Sequence, residues 1–184
     1  DLVANGNGLL ATAKIMNHLG ADWTICSDGF ESANFGLLSG DMTLWKQQAD
    51  PIVAAAQRVK AKTVVIAECG HAYPALRWNP MLRSGELPFE MMYMSEFLGK
   101  QAKADKLHLT PLEQKVTFHD PCKTGRRGGA FDEPRAVLKA MDAELVEMPN
   151  NKEYNWCCGG GAGIFLLDDA TELYPDICGL RLRE

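Results

Sequence analysis

The chain has 184 residues, which is enough to bury a hydrophobic core in one mixed domain or in two small lobes. Its 19 Lys and Arg residues are outnumbered by 24 Asp and Glu residues, which argues against a surface that follows nucleic-acid phosphates. No segment approaches the roughly 20 apolar residues of a membrane-spanning helix, and no secretory leader is recognisable. We therefore expect no nucleic-acid partner and no direct membrane span.

The six cysteines indicate the cellular compartment in which we expect the chain. Secreted proteins that depend on disulfides are usually shorter, rich in loops and denser in cysteine. The rest of this sequence is rich in helix formers and apolar strands, which favours the reducing cytoplasm, with thiols available for metal or redox chemistry. Cys26 lies within an apolar run and is predicted to be a core residue. Cys178 is a structural thiol, a cluster neighbour or a reactive thiol, and its sequence favours the structural role.

The first half of the chain alternates helical and extended patterns. Apolar spacing predicts a helix over 6–19, a short strand over 22–26 and a second helix from 41 to 59. The most distinct strand is predicted over 63–67, where a β-branched run lies between helices, as in a buried parallel strand.

The second half continues the alternation. Residues 74–87 are predicted to be irregular, and a helix is predicted over 88–100. A strand over 116–118, a helix over 134–141 and a strand over 144–148 follow. The order of elements predicts an α/β fold with mainly parallel sheets flanked by helices.

The order helix, strand, glycine-bearing loop occurs once in each half of the chain. It predicts two pseudo-equivalent lobes, a first α/β lobe over 1–110 and a second over 111–184, with the cysteine chemistry kept in the second. The chain begins without Met, and residues 179–184 are typical of the start of a helix. We therefore expect a piece of a longer protein.

The most informative motif is the vicinal pair Cys157-Cys158 followed by three glycines. Neighbouring side chains on an extended backbone point apart and rarely form a relaxed disulfide, while Gly159 and Gly160 let the backbone fold closely around a bulky group. Cys122 follows a predicted strand, and thirty-four residues separate it from Cys157. That separation is too long for a local zinc knuckle and suits one strand-helix-strand excursion.

These cysteines are predicted thiolate donors at strand ends, where open α/β sheets place their sites. Thiolates suit zinc, copper(I) and iron-sulfur clusters, and a cluster accepts widely spaced ligands. Glycine N–H groups beside the ligands would lower the effective negative charge of the sulfur atoms. Cys69 also ends a strand, and is either a further ligand or a thiol that lines the site. A buried thiol pair without metal is the alternative for Cys157 and Cys158.

Histidine and basic residues flank the candidate ligands. His119 and His71 could donate a hydrogen bond to sulfide, relay a proton, or simply be hydrogen-bonded within the fold. Lys123, Arg126 and Arg127 follow Cys122, where positive charge would favour a thiolate and help to retain an anionic cluster. A solvated loop is the alternative for these three.

Several segments resemble one known family, the CCG cysteine-rich domain of heterodisulfide reductase catalytic subunits. The sequence also resembles the K-subunit family of sulfite-reductase-associated membrane complexes and related subunits of sulfate-reducer electron-transfer complexes. The spacing of Cys122 and Cys157-Cys158-Gly159 carries part of this resemblance. The other matching segments are Glu68–Tyr73, Ala75–Trp78, His119–Cys122 with Arg126–Gly129, and Asn155–Gly161.

The resemblance implies an iron-sulfur oxidoreductase that reduces a disulfide, one electron at a time, at a noncubane [4Fe-4S] cluster. Cys122, Cys157 and Cys158 map onto family ligands and would be the catalytic and metal-binding residues. Cys69, His119, Gly159 and Gly160 are predicted to contact the cofactor, with Cys69 as a candidate metal ligand. The family continues with a CxxC pair that this chain does not reach. We therefore expect an incomplete site, from which the cluster could be absent.

The resemblance also implies partners and a location. Electrons would come from other subunits of a membrane-bound electron-transfer complex, and the substrate would be a disulfide on a small protein or a thiol compound. The chain would be cytoplasmic and peripheral to the inner membrane through those subunits. One alternative is a structural module that binds zinc through Cys69, Cys122, Cys157 and Cys158. Another is a scaffold that docks a partner through the predicted helix at 88–98.

Overall fold

A computed structural model of the chain describes residues 6–30, 35–67, 69–77, 87–161, 167–170 and 172–183. Within these ranges, helices alternate with four short strands. The helices are α1 (Gly6–His18), α2 (Phe35–Ser39), α3 (Met42–Arg58), α4 (Ala72–Arg77), α5 (Met94–Lys103), α6 (Asp132–Ala140) and α7 (Leu173–Leu182). The strands are β1 (Thr63–Ile66), β2 (Glu90–Tyr93), β3 (Lys115–Val116) and β4 (Glu144–Leu145).

The first sheet pairs β1 with β2 in parallel, with Thr63 opposite Glu90. The prediction of β1 is confirmed apart from its last residue. The helix predicted over 88–100 is wrong in its first part, because residues 90–93 form β2 and the helix begins only at Met94. Met91 and Met92 favour helix intrinsically, but pairing with β1 buries both of them, and tertiary contact overrides the local preference.

The main hydrophobic core lies between α3 and this sheet. Helix α3 begins as predicted, with Asp41 as its N-cap: Oδ1 accepts hydrogen bonds from the backbone N–H groups of Thr43 and Leu44, each at 3.0 Å. Its apolar side packs against residues of α4 and β2 and of the segment before β2. The core residues are Trp45, Ala49, Ile52, Ala56, Leu76, Phe89 and Met91.

The second sheet pairs β3 with β4 in parallel, with Lys115 opposite Glu144. The chain between them forms the turn that carries Cys122 and then helix α6. Both strands are shorter than predicted. The parallel pairing and the crossover helix confirm the predicted α/β class.

Three other predictions need correction. Residues 22–26 pair with no strand in the part of the chain that the structure describes. The region predicted as irregular begins with the last four residues of α4, a helix on which Tyr73 and Leu76 are fully buried. Residues 78–86 lie outside the described ranges. The helix expected at the C-terminal end begins at Leu173 rather than at 179.

Helices α5 and α6 bring the two sheets together. A Cβ atom on Gly99 of α5 would lie 2.5 Å from Cβ of Glu133 of α6, so only glycine permits this close approach. Lys103 Nζ and Glu133 Oε1, 3.0 Å apart, form an ion pair at the same contact. The division into lobes at residue 110 stays a prediction.

Candidate metal centre

The thiols of the three cysteines singled out in the second half of the chain lie near one another. Burial is the largest influence on Cys122 and raises the pKa of its thiol. The second is Cys157, which is hydrogen-bonded to Cys122, and Cys158 acts in the same direction, while Lys123 lowers the pKa. Because such influences act only over short distances, the Cys157 sulfur lies within hydrogen-bonding reach of Cys122, and Cys158 lies close enough to act on the charge of Cys122.

Cys122 lies at the start of a π-helical turn, Cys122–Arg126, a geometry often found at functional sites. The N–H of Gly125 donates to the carbonyl of Pro121 at 2.8 Å, and the N–H of Arg127 donates to that of Cys122 at 3.2 Å. Gly128 closes the turn, since a Cβ there would lie 2.4 Å from the carbonyl oxygen of Thr124. These backbone contacts hold the turn that begins at Cys122.

A buried ion pair anchors the segment before Cys122. Both carboxylate oxygens of Asp120, which is fully buried, accept hydrogen bonds from Arg135 of α6 at 2.8 Å. Oδ2 also accepts the backbone N–H of Lys152 at 2.7 Å. Burial alone would raise the pKa of Asp120, but the hydrogen bonds from Arg135 and Lys152 outweigh it and lower that pKa. Arg135 also binds Glu147, with Nη2 and Oε2 2.7 Å apart.

Asn155 joins the two cysteine segments. Its fully buried side chain donates a hydrogen bond from Nδ2 to the backbone carbonyl of Asp120. Nearby, Nε of Arg126 donates to the carbonyl of Glu153 at 3.2 Å. Asp120 precedes Cys122 by two positions and Asn155 precedes Cys157 by two, so this contact sets the separation of the cysteines.

The sequence interpretation missed the organising role of Asp120, Arg135 and Asn155. The available signal was a polar residue two positions before each cysteine, in Asp120-Pro121-Cys122 and Asn155-Trp156-Cys157. Their burial could not be inferred from that spacing.

The glycines after Cys158 contact cysteine sulfur atoms and helix α7. The N–H of Gly159 donates to Sγ of Cys157 at 3.3 Å. Gly159 has φ +79°, and a Cβ there would lie 2.9 Å from Cβ of Ile177 in α7. Gly160 lies beside Cys158, since a Cβ at that position would lie 3.9 Å from Sγ.

The loop that carries Cys69 meets the other two cysteine segments. A Cβ on Gly70 would lie 3.6 Å from Cβ of Lys123, and one on Gly161 would lie 3.3 Å from Cε1 of His71. Burial lowers the pKa of His71, and Lys123 and Arg127 lower it further. Cys69 itself is exposed, and its Sγ accepts the backbone N–H of Ala72 at 3.4 Å.

His119 contacts the C-terminal helix. Nε of Arg181 in α7 donates to Nδ1 of His119 at 3.0 Å. Burial lowers the pKa of His119, and the Arg181 charge lowers it further, whereas Asp120 raises it. Cys178 lies on the same helix, and both Cys178 and Cys26, the predicted core residue, are half-buried free thiols.

The donor set fits an iron-sulfur cluster. Thiolates are soft ligands, and each iron of a cluster takes its own sulfur, so the ligands need not surround one point. Among the described residues, no three His, Cys, Asp or Glu side chains are arranged around a single metal ion. Cys122, Cys157 and Cys158 supply the convergent sulfur atoms, with Cys69 on an adjoining loop.

Comparison with known proteins agrees with this chemistry. Residues 116–173 match a family whose description is the CCG cysteine-rich domain. This part of the chain is similar to the CCG cysteine-rich domain. The matched region thus begins at β3, contains the turn of Cys122 and both vicinal cysteines, and ends where α7 begins.

Curated relatives match more of the chain than residues 116–173. The chain is similar to one subunit of the dihydromethanophenazine:CoB–CoM heterodisulfide reductase of Methanosarcina barkeri, at 33% identity over 84% of this chain and 39% of that protein. It is 35% identical to the EtfAB:quinone oxidoreductase of Syntrophomonas wolfei, over 65% of this chain and 17% of that protein. A probable iron-sulfur-binding oxidoreductase of Bacillus subtilis is 30% identical, over 88% and 23% respectively.

The chain therefore spans about two fifths of the length of the heterodisulfide reductase polypeptide that it matches. No solved structure matches the chain. Among the helices that the structure describes, none combines the length and the apolar character needed to cross a bilayer.

Proposed function

We propose that this chain is the cluster-binding part of an iron-sulfur oxidoreductase similar to heterodisulfide reductase, and that it reduces a disulfide on a small protein. The observation that carries the proposal is the convergence of the Cys122, Cys157 and Cys158 thiols on one region. The iron-sulfur and heterodisulfide-reducing relatives support the same chemistry. Similarity to K subunits of sulfite-reductase-associated complexes stays a prediction.

Cys122, Cys157 and Cys158 would hold the cluster, and Cys69 would complete or line the site. When bound, a noncubane [4Fe-4S] cluster would supply single electrons to the substrate disulfide. The exposed position of Cys157 leaves this edge of the site open to a partner protein. The N–H of Gly159 would offset negative charge on the Cys157 sulfur.

Reducing a disulfide to two thiols consumes two electrons and two protons. The electrons would come from partner subunits of a membrane-associated complex, which would also hold this chain at the cytoplasmic face of the inner membrane. Solvent at the open edge can supply the protons. The Asp120–Asn155 contact would keep the two cysteine segments at the separation that a cluster needs.

The test is anaerobic reconstitution with iron and sulfide, in a protein that includes any residues encoded beyond Glu184. Iron and sulfide are quantified, and EPR spectra are recorded after reduction and after addition of a disulfide. We expect Cys122→Ser, Cys157→Ser and Cys158→Ser each to lose most of the iron, while Cys26→Ser keeps it. Unchanged iron in the first three variants would contradict the proposal, and one zinc per chain without a paramagnetic signal would favour a structural zinc module.

A further inference from the structure

Helix α7 contacts both segments that carry the candidate ligands. Ile177 packs against Gly159, where a Cβ would come within 2.9 Å of the isoleucine Cβ. One turn further along, Arg181 reaches His119, three residues before Cys122. Arg181 lies outside residues 116–173, so the CCG family match does not cover it. The helix thus adds a polar contact to the site from outside the matched domain.

In the hydrogen bond between Arg181 and His119, only Arg181 can be the donor. Arg181 is 2% exposed, and its Nε donates to Nδ1 of His119 at 3.0 Å. A guanidinium group has no acceptor atom and stays protonated in proteins, so Nδ1 must supply the lone pair. A neutral imidazole with an unprotonated Nδ1 carries its hydrogen on Nε2.

We infer that Arg181 is a positioning residue, which fixes His119 in the tautomer that donates a hydrogen bond through Nε2. An imidazole relays a proton by accepting it at one nitrogen and releasing it at the other. Because Nδ1 faces the guanidinium N–H, that nitrogen is closed to an incoming proton. Of the roles that the sequence leaves open for His119, the contact selects the hydrogen-bond donor over the proton relay. That this hydrogen-bond donor matters for disulfide reduction rests on the proposed function. The assignment of the tautomer rests only on the contact with Arg181.

The test is the tautomeric state of His119 in the reduced, metal-free chain labelled with ¹⁵N-histidine. Long-range proton–nitrogen NMR spectra distinguish a protonated from an unprotonated ring nitrogen, and the His119→Gln variant identifies the signals among those of the four histidines. We expect an unprotonated Nδ1 and a protonated Nε2. The single-tautomer pattern should be lost in Arg181→Met and retained in Arg181→Lys, which keeps an N–H donor. Arg183→Met, at the exposed residue that follows the end of the same helix, should leave the pattern intact.

A protonated Nδ1 in the unsubstituted chain would overturn the inference, and so would an unchanged pattern in Arg181→Met. If Arg181→Met fails to fold, as judged by circular dichroism, the spectrum of the unsubstituted chain still decides the question. The measurement uses no iron. A chain that never binds a cluster would therefore defeat the proposed function and leave the assignment of the tautomer standing.

Discussion

The buried side chain of Asn155 donates a hydrogen bond from Nδ2 to the backbone carbonyl of Asp120. Both residues are fully buried, and each stands two positions before a candidate cluster ligand. The carboxylate of Asp120 is held in turn by Arg135 and by the backbone of Lys152. This contact therefore ties the Cys122 turn to the Cys157 loop without using either sulfur atom.

The first prediction concerns Asn155→Ala. The change leaves the carbonyl of Asp120 buried without this donor, which should lower the free energy of unfolding by about 1–3 kcal/mol in urea denaturation. Asn151→Ala is a matched control, because Asn151 also donates to a backbone carbonyl, at 2.7 Å, but is less buried. An equal loss of unfolding free energy in both variants would show that burial does not make the Asn155 contact more stabilising than the Asn151 contact. Iron uptake should fall in Asn155→Ala and not in the control.

The second prediction concerns Asp120→Asn. Removing the buried carboxylate charge leaves Arg135 with Glu147 as its remaining ion-pair partner, and should cost up to about 3–5 kcal/mol of unfolding free energy. The comparison is Asp50→Asn, which breaks an exposed ion pair with Lys46 and should cost less than about 1 kcal/mol. A small, equal effect of both changes in urea denaturation would contradict the role of Asp120.

The third prediction is the pH dependence of the same pair. Hydrogen bonds from Arg135 and Lys152 outweigh burial and hold the pKa of Asp120 below its ordinary value of 3.8. The charged form therefore stabilises the fold fully above about pH 3.8, and this contribution is lost as the pH falls from 3.8 through the folded pKa. The difference in unfolding free energy between the unsubstituted chain and Asp120→Asn should shrink below that pH. A difference that stays constant would mean that the carboxylate is not selectively stabilised.

The fourth prediction separates two reasons for glycine at position 159, its positive φ and its close contact with Ile177. Alanine there would meet both the positive φ and the side chain of Ile177, so Gly159→Ala should lose more stability than either control. Gly20→Ala, with φ +60° in open space, should show the conformational cost alone, about 1–2 kcal/mol. Gly160→Ala has ordinary contacts and should change little. Thermal unfolding in which Gly159→Ala equals Gly20→Ala would rule out the contact with α7.

The fifth prediction concerns Cys122. Burial first, and then the neighbouring Cys157 and Cys158, raise the pKa of its thiol above the ordinary 9.0. In the reduced, metal-free chain, the alkylation rate of Cys122 should therefore reach half its maximum above pH 9.0, as followed by mass spectrometry. Replacing its hydrogen-bonded neighbour, in Cys157→Ser, should move the midpoint downward. A midpoint at or below pH 9.0 in the unsubstituted chain would contradict the buried position of Cys122.

Local patterns predicted much of the fold. The apolar spacing of α1 and α3 and the β-branched residues of β1 are short-range features, and each of these predicted elements formed. Strand β2 could not be predicted, because Met91 and Met92 favour helix and become strand only by pairing with β1. The same holds for α4, where burial in the core gives order to a segment that reads as irregular.

The amino-acid sequence by itself determined the chemistry available to this protein: three thiols, two of them adjacent, with glycines whose N–H groups can approach sulfur. The tertiary structure alone decided that these thiols share one region, that buried Asp120 and Asn155 hold their segments together, and that Arg181 reaches His119. The reason is physical. The identity of a donor atom is a local property of its residue, whereas its neighbours depend on contacts between segments up to 62 residues apart, which only the folded chain brings together.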